Sequence, residues 1–250
     1  MIRIIFCGCF GRMGTVVRQI VKENDEQVIV AGVDICDGDA EFPVYKVITD
    51  VKEEADVIID FSSPKALDPI LEHAISKNIP VVLCTTGYSD EQLDSIKKAS
   101  EKVAVLRSAN MSLGINTMAK LLKTTAEVLA GNGYDIEIVE RHHNQKKDAP
   151  SGTALLLADA INKTCNGRYE YVFDRSTRRE TRPKDEIGIS AVRGGSIVGE
   201  HEVIFAGLDE VIEIKHTAYS RSVFAKGAVS AAAFLAGKPA GMYDMGNVVE

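Results

Sequence analysis

Ile2-Arg3-Ile4-Ile5-Phe6-Cys7-Gly8-Cys9-Phe10-Gly11-Arg12-Met13-Gly14 decides how the chain folds. The run to Cys7 is apolar at every position but Arg3, which suits a strand covered on both faces of a parallel sheet. A glycine turn follows, and Val16, Val17, Ile20 and Val21 then recur at helical spacing. Strand, glycine turn and helix in that order are the setting of a dinucleotide-binding fingerprint, here spaced G-x-x-G-x-x-G with Phe10 where a glycine is usual. A second apolar strand, Val28 to Val33, delivers Asp34 about 20 residues beyond Gly14, where a ribose-binding acid is expected. A carboxylate there accepts hydrogen bonds from the ribose hydroxyls and repels a 2′-phosphate, and Ile35 and Cys36 offer no Arg to hold one. NADH should therefore be accepted, and any preference over NADPH is left open.

Working outward, Val57 to Phe61, Ile79 to Leu83 and Val103 to Leu106 read as further buried strands. They alternate with helices over Lys65 to Ser76 and from a Ser89 cap through Lys98. The strands end in Ser62-Ser63-Pro64, Cys84-Thr85-Thr86-Gly87 and Ser108-Ala109-Asn110-Met111-Ser112. In an open parallel sheet such ends line one crevice, where ligands bind. The expectation is an α/β, Rossmann-like domain over 1–109, completed by an Ala-rich C-terminal helix within 220–250.

After Gly114 the pattern changes. A long helix to Leu129 stops at Gly131-Asn132-Gly133, and Tyr134 to Val139 is a strand. Ile187 to Arg193, Ser196 to Phe205 and Val211 to Ala218, joined by short turns, read as an antiparallel meander. Residues 110–219 should thus form a second, α+β domain with a mostly antiparallel sheet. Such a sheet has another face to cover, and self-association is a natural solution. Arg175, Arg178, Arg179 and Arg182 sit in a polar stretch whose spacing does not decide whether they touch a ligand.

Within that second domain stands Glu140-Arg141-His142-His143-Asn144-Gln145-Lys146-Lys147-Asp148-Ala149-Pro150-Ser151-Gly152-Thr153-Ala154. Pro150 cannot continue a strand or helix through its nitrogen and Ser151 is a good N-cap, so a helix should open near Gly152 and Thr153. The unpaired N–H groups of that opening, with Arg141, Lys146 and Lys147 nearby, make a socket for a small anion. The histidines add groups that exchange a proton near neutral pH. In an extended strand His142 and His143 would face opposite ways, so both can enter one pocket only where the strand has ended. His73, His201 and His216 read as structural.

A hydrophobic fraction of 45% and a charged fraction of 26% are those of a globular chain, and a net charge of −7 argues against nucleic acid as a partner. No apolar run approaches the ~20 residues that cross a bilayer, and no cleavable leader is visible, so the cytoplasm is expected. Five scattered cysteines lack zinc spacing and read as reduced thiols; no metal is expected.

On Gly8 to Gly14, Thr85-Thr86-Gly87, Ser108 to Asn116 and above all Glu140 to Ala154, the chain resembles the dihydrodipicolinate (4-hydroxy-tetrahydrodipicolinate) reductase family over essentially its whole length. The longest of these follows that family's E-x-H-H-x-x-K-x-D-A-P-S-G-T-A pattern. The resemblance implies NAD(P)H-dependent reduction of a dicarboxylic ring in the diaminopimelate route to lysine, by a homotetramer. Gly8, Cys9, Phe10, Gly11, Arg12 and Met13 would then cradle pyrophosphate and Asp34 the ribose, with Cys84, Thr85, Thr86, Ser108, Ala109, Asn110 and Met111 beside the nicotinamide. His142 and Lys146 would handle the proton, the latter with its pKa lowered by neighbouring cations, while His143, Ser151, Gly152 and Thr153 would bind substrate carboxylates. Cys84 stands where the family usually has Gly. Competing readings are another two-domain NAD(P)-dependent dehydrogenase, which the His-His-x-x-Lys turn disfavours, and a non-catalytic NAD(H) sensor, which would need the first domain alone.

Overall fold

The computed structural model describes residues 1–250, which divide into two units, Met1–Leu113 with Ser222–Glu250, and Gly114–Arg221. The chain begins β1 (Ile2–Cys7), α1 (Arg12–Lys22), β2 (Gln27–Val33), β3 (Val44–Tyr45), β4 (Val57–Asp60), α2 (Leu67–Lys77), β5 (Val81–Leu83), α3 (Asp90–Ser100) and β6 (Ala104–Arg107). It continues α4 (Leu113–Leu129), β7 (Asp135–His142), α5 (Gly152–Thr164), β8 (Glu170–Val172), β9 (Glu186–Arg193), β10 (Gly199–Ala206) and β11 (Val211–Ala218). It closes α6 (Ser222–Leu235), β12 (Gly241–Tyr243) and α7 (Met245–Val248).

The first unit holds a seven-stranded, all-parallel sheet in the order β12-β6-β5-β4-β1-β2-β3. Successive side chains of a strand face opposite ways, so Ile4 and Phe6 enter one core and Ile5 and Cys7 the other. Val17 and Val21 of α1 and Ala225 and Ala228 of α6 cover the first face, while α2 and α3 cover the second with Leu67, Ile70 and Ile96. The alanines of α6 let its backbone come close: a Cβ on Gly227 would stand 1.6 Å from the Met111 carbonyl oxygen. Past Gly237 the chain returns as β12 beside β6, a three-residue strand that the sequence reading left out. At the other end of α3's sequence signal, Ser89 and Gln92 form a full capping box.

In the second unit α4 and α5 pack on one face of a five-stranded sheet ordered β11-β10-β7-β9-β8. The three strands β9, β10 and β11 do not form the expected antiparallel meander. β10 and β11 do form an antiparallel hairpin, but β9 pairs parallel with β7, which lies between β9 and β10. β8 is also parallel to β9, so the sheet is mixed where a mostly antiparallel one was expected. The residues after Arg193 wrap over the end of β7 without folding back: the Gly194 N–H donates to the His142 carbonyl and the Asn144 N–H to the Gly195 carbonyl. Two strand spacings are about 10 Å, which a connection of that length spans. The central position goes to β7, whose Ile136, Ile138, Glu140 and His142 are buried in strict alternation.

Candidate active site

In the first unit the turn after β1 is built from backbone. Gly8 has φ +83°, and a Cβ there would meet the Phe61 carbonyl oxygen at 2.6 Å; one on Gly14 would meet the carbonyls of Gly8 and Cys9 at 2.5 Å. Gly11 is the N-cap of α1 and offers no side-chain cap, so the first-turn amides of Arg12, Met13 and Gly14 lack intrahelical partners. Asp34 accepts the Phe10 N–H at 2.8 Å on one oxygen and the Cys36 N–H at 2.9 Å on the other. A cavity of about 550 Å³ opens beside it, lined by Gly8, Gly11, Asp34, Lys46, Phe61 and Lys65 among others. Unpaired helix-start amides, a turn closed to side chains and a carboxylate at the cavity wall fit an adenosine diphosphate group.

The sequence-derived residues of this unit do not all present side chains. Cys9 is fully buried in the core and Met111 nearly so, leaving them their backbone groups. Asn110 is buried and its Oδ1 accepts the Ser112 N–H at 2.8 Å. Thr86 and Ala109 are exposed, and Cys84, Thr85 and Ser108 half-buried, at the carboxyl ends of β5 and β6. Sequence reasoning passed over Asp60, which is buried at the end of β4 and accepts the Ser62 N–H at 3.0 Å and the Tyr88 hydroxyl at 3.3 Å. It joins the two loops that follow β4 and β5, and burial pushes its pKa up against the hydrogen bonds of Ser62.

In the second unit β7 runs through His142, which therefore turns inward with Glu140 and leaves His143 half-exposed beyond the strand end. Of the two histidines, His142 is the one on the packed face. Glu140 is inaccessible to solvent and fully engaged: Oε2 meets His142 Nδ1 at 2.6 Å, Arg193 donates to both oxygens at 2.7 Å, and the Ser151 N–H donates to Oε1 at 2.9 Å. Burial raises the Glu140 pKa, but those bonds outweigh it and the carboxyl sits below its ordinary range. An ionised Glu140 fixes the neutral tautomer of His142 with hydrogen on Nδ1, leaving Nε2 as acceptor. Burial, only partly offset by Glu140, lowers the His142 pKa, and the charges of Lys146 and Arg193 lower it further.

Ser151 caps α5, its Oγ accepting the Ala154 N–H at 3.2 Å and lying 3.0 Å from His201 Nε2. His201, read from sequence as structural, belongs to this cluster: its ring lies 5.1 Å from that of His142, nearly edge-on, and burial pushes its pKa down to about 3. Gly199 leaves room beside them, since a Cβ there would approach His142 Nε2 to 3.1 Å. At the helix mouth Lys146 pairs with Asp148 at 2.9 Å, and that pairing holds the Asp148 carboxyl below its ordinary range. The charge beside Lys146 is therefore anionic as well as cationic. Thr153 is half-buried in the first turn of α5. Arg193 and His201 come from β9 and β10, 53 positions from Glu140 and 50 from Ser151 respectively. No local signal marks them. Arg175, Arg178 and Arg182 are held by Glu137, Glu186 and Asp135, which makes them ties of the segment 173–185 to its own sheet.

Family models described as the N-terminus and the C-terminus of dihydrodipicolinate reductase match residues 2–111 and 114–249. A 4-hydroxy-tetrahydrodipicolinate reductase of Caldanaerobacter subterraneus subsp. tengcongensis is 54% identical over 250 residues, covering 100% of this chain and 99% of that protein. One of Clostridium tetani is 50% identical, covering 98% and 96%. Among solved structures, the dipicolinate-bound dihydrodipicolinate reductase of Paenisporosarcina sp. TG-14 superposes with a TM-score of 0.81 at 25% identity, covering 99% of each chain.

Proposed function

The chain belongs to the dihydrodipicolinate reductase family, and from that premise we propose how its residues share the work. It is an oxidoreductase that converts 4-hydroxy-tetrahydrodipicolinate to tetrahydrodipicolinate with NADH or NADPH, a step of the diaminopimelate route to lysine. In net terms the substrate loses one water and gains one hydride and one proton. Reduced nicotinamide, when bound, would supply the hydride for C4 of the ring.

The remaining steps fall to the chain. The amides of Arg12 to Gly14 hold the pyrophosphate and Asp34 the ribose, while Thr85, Thr86, Ser108 and Ala109 flank the nicotinamide. In the second unit a substrate carboxylate replaces Asp148 at the Lys146 ammonium and takes the Gly152 N–H, with His143 and Thr153 completing the socket. Ser151, expected among the carboxylate-binding residues, is instead buried with its N–H on Glu140 and its Oγ on the Ala154 N–H and His201, and holds the helix start in place. Lys146 and His142 deliver the proton, and Glu140 holds the His142 ring in the tautomer that leaves Nε2 able to take a proton up and pass it on. The observation that carries this reading is the meeting of a cationic side chain, a buried Glu–His pair and the opening of α5 in one place. That a relative binds dipicolinate, a flat dianion, supports the dicarboxylate as ligand. The face of the five-stranded sheet away from α4 and α5 carries exposed Val192 and Val211 and is the surface through which a homotetramer would form. No helix is long and apolar enough to cross a membrane, which accords with work in the cytoplasm.

The direct test mixes the protein with NADH and freshly generated product of dihydrodipicolinate synthase and follows the loss of nicotinamide absorbance. The expected result is oxidation above a blank, with pyridine-2,6-dicarboxylate competing against the substrate. No oxidation beside an active control enzyme rejects the assignment.

A further inference from the structure

We propose that Lys46 receives the 2′-phosphate of NADPH and so makes the dinucleotide site dual in specificity, an inference that rests on the cavity beside Asp34 holding the adenosine ribose. The residues directly after Asp34 offer no cation, but the fold brings one from the next strand. β3 pairs with β2 so that Tyr45 lies opposite Val33, and the Asp34 N–H donates to the Tyr45 carbonyl at 3.0 Å. Lys46 therefore comes alongside the ribose-binding acid although 12 positions separate them in sequence.

Its ammonium lies across the turn that follows Asp34. Nζ donates to the carbonyls of Ile35 at 3.0 Å and Cys36 at 3.1 Å and pairs with Asp37 at 2.6 Å. Lys46 also lines the cavity together with Asp34, Ile35 and Cys36. This is the region in which a cation accommodates a 2′-phosphate in dinucleotide folds. The pair with Asp37 is solvent-exposed, with 97% of the Asp37 side chain accessible, so it is weak and readily exchanged for a doubly charged phosphate. A lysine suits that exchange, being a compact point charge on a flexible stem. Without it, a 2′-phosphate would face the Asp34 carboxylate uncompensated. The other nearby cations are placed differently. Arg18 is stacked against Phe10 and Phe42 and donates to the Asp39 carbonyl. Lys65 lines the same cavity from the turn after β4.

The test is titration of the full-length protein with NADH and with NADPH, each read by calorimetry and by nicotinamide fluorescence. Lys46→Met should weaken NADPH by about 10-fold, the scale of a charge-assisted hydrogen bond to phosphate, and leave NADH within about twofold. Lys46→Arg should restore NADPH binding, Asp37→Asn should tighten it a few-fold, and the NADPH-specific advantage should shrink as salt is raised. Equal weakening of both dinucleotides by Lys46→Met would mean that the side chain only props the turn, and the proposal fails. It fails also if Lys65→Met, and not Lys46→Met, is the selective change. If the unaltered protein bound neither dinucleotide, the reading of the cavity itself would be lost, an outcome distinct from an unmoved NADPH to NADH ratio.

Discussion

Glu140 shows how much a single side chain can decide. It accepts from His142, Arg193 and the Ser151 amide while fully shielded from water, so its charge is compensated at every oxygen. Glu140→Gln keeps the shape and removes the charge, leaving Arg193 half-buried without a counter-ion, and should cost roughly 3 kcal/mol in chemical denaturation. Because Glu140 favours the protonated form of His142, its loss should also move the limb of the pH–rate profile on which His142 gives up its proton to lower pH. A change in stability with that limb unmoved would make Glu140 purely a packing residue. His142→Gln and Lys146→Ala should each slow turnover by at least ~100-fold, the usual scale of acid catalysis, with NADH affinity by titration nearly unchanged; unchanged turnover in both removes them from the mechanism. Half of this cluster was legible beforehand. Residues two apart in a strand share a face, which couples Glu140 to His142, and Ser151 announces the helix it caps. Arg193 and His201 carry no such mark, because their place depends on which strands become neighbours.

At the level of elements, the parallel sheet was readable because each of its inner strands is an apolar run too short for a helix, set between helical repeats. The sheet of the second unit was not. Alternation in β9, β10 and β11 says which face is buried, but it is the same whether β9 pairs with β10 or leaps over β7, and the leap occurred. The short β12 offers too few residues to show any period. α6 makes a sharper statement, since its composition reports a close approach that its amphipathic pattern does not. In an exposed helix Gly→Ala gains up to ~1 kcal/mol of helix propensity. At Gly227 the added methyl would instead meet the backbone carbonyl of Met111 at 1.6 Å, where no side chain can yield. Gly227→Ala should therefore destabilise the protein by roughly 2–3 kcal/mol in denaturant titration, and a neutral or stabilising result would show that α6 does not press on that segment.

For the molecule as a whole, buried histidines set the acid side of stability. His201 has its pKa pushed down to about 3 by burial, and burial also lowers those of His73, His142 and His216. The unfolded chain therefore binds more protons than the native one once pH falls below the ordinary histidine value. His201 alone should remove roughly 2–3 kcal/mol between about pH 6.5 and about pH 4.5, at ~1.4 kcal/mol per unit. Glu140, depressed in the native state, adds its own loss only below the ordinary carboxylate range, while Asp60, raised by burial, takes up its proton earlier in the native state and works in the opposite direction, so the His201 share is read from its substitution. Urea titrations across that pH window should steepen with acid, and His201→Gln should flatten the slope; a slope unchanged by that substitution would place the titration elsewhere. The division of the chain has a further consequence for its synthesis. The first unit opens with Ile4 and Phe6 in β1, yet the alanines of α6 that cover them and the strand that completes their sheet lie beyond Ser222. A nascent chain leaving the ribosome must carry that greasy surface bare through some two hundred residues of translation, dependent on chaperones or on speed. Chains cut short before Ser222 should accordingly accumulate as aggregates, whereas a soluble, NADH-binding fragment ending there would show that the opening segment can close upon itself.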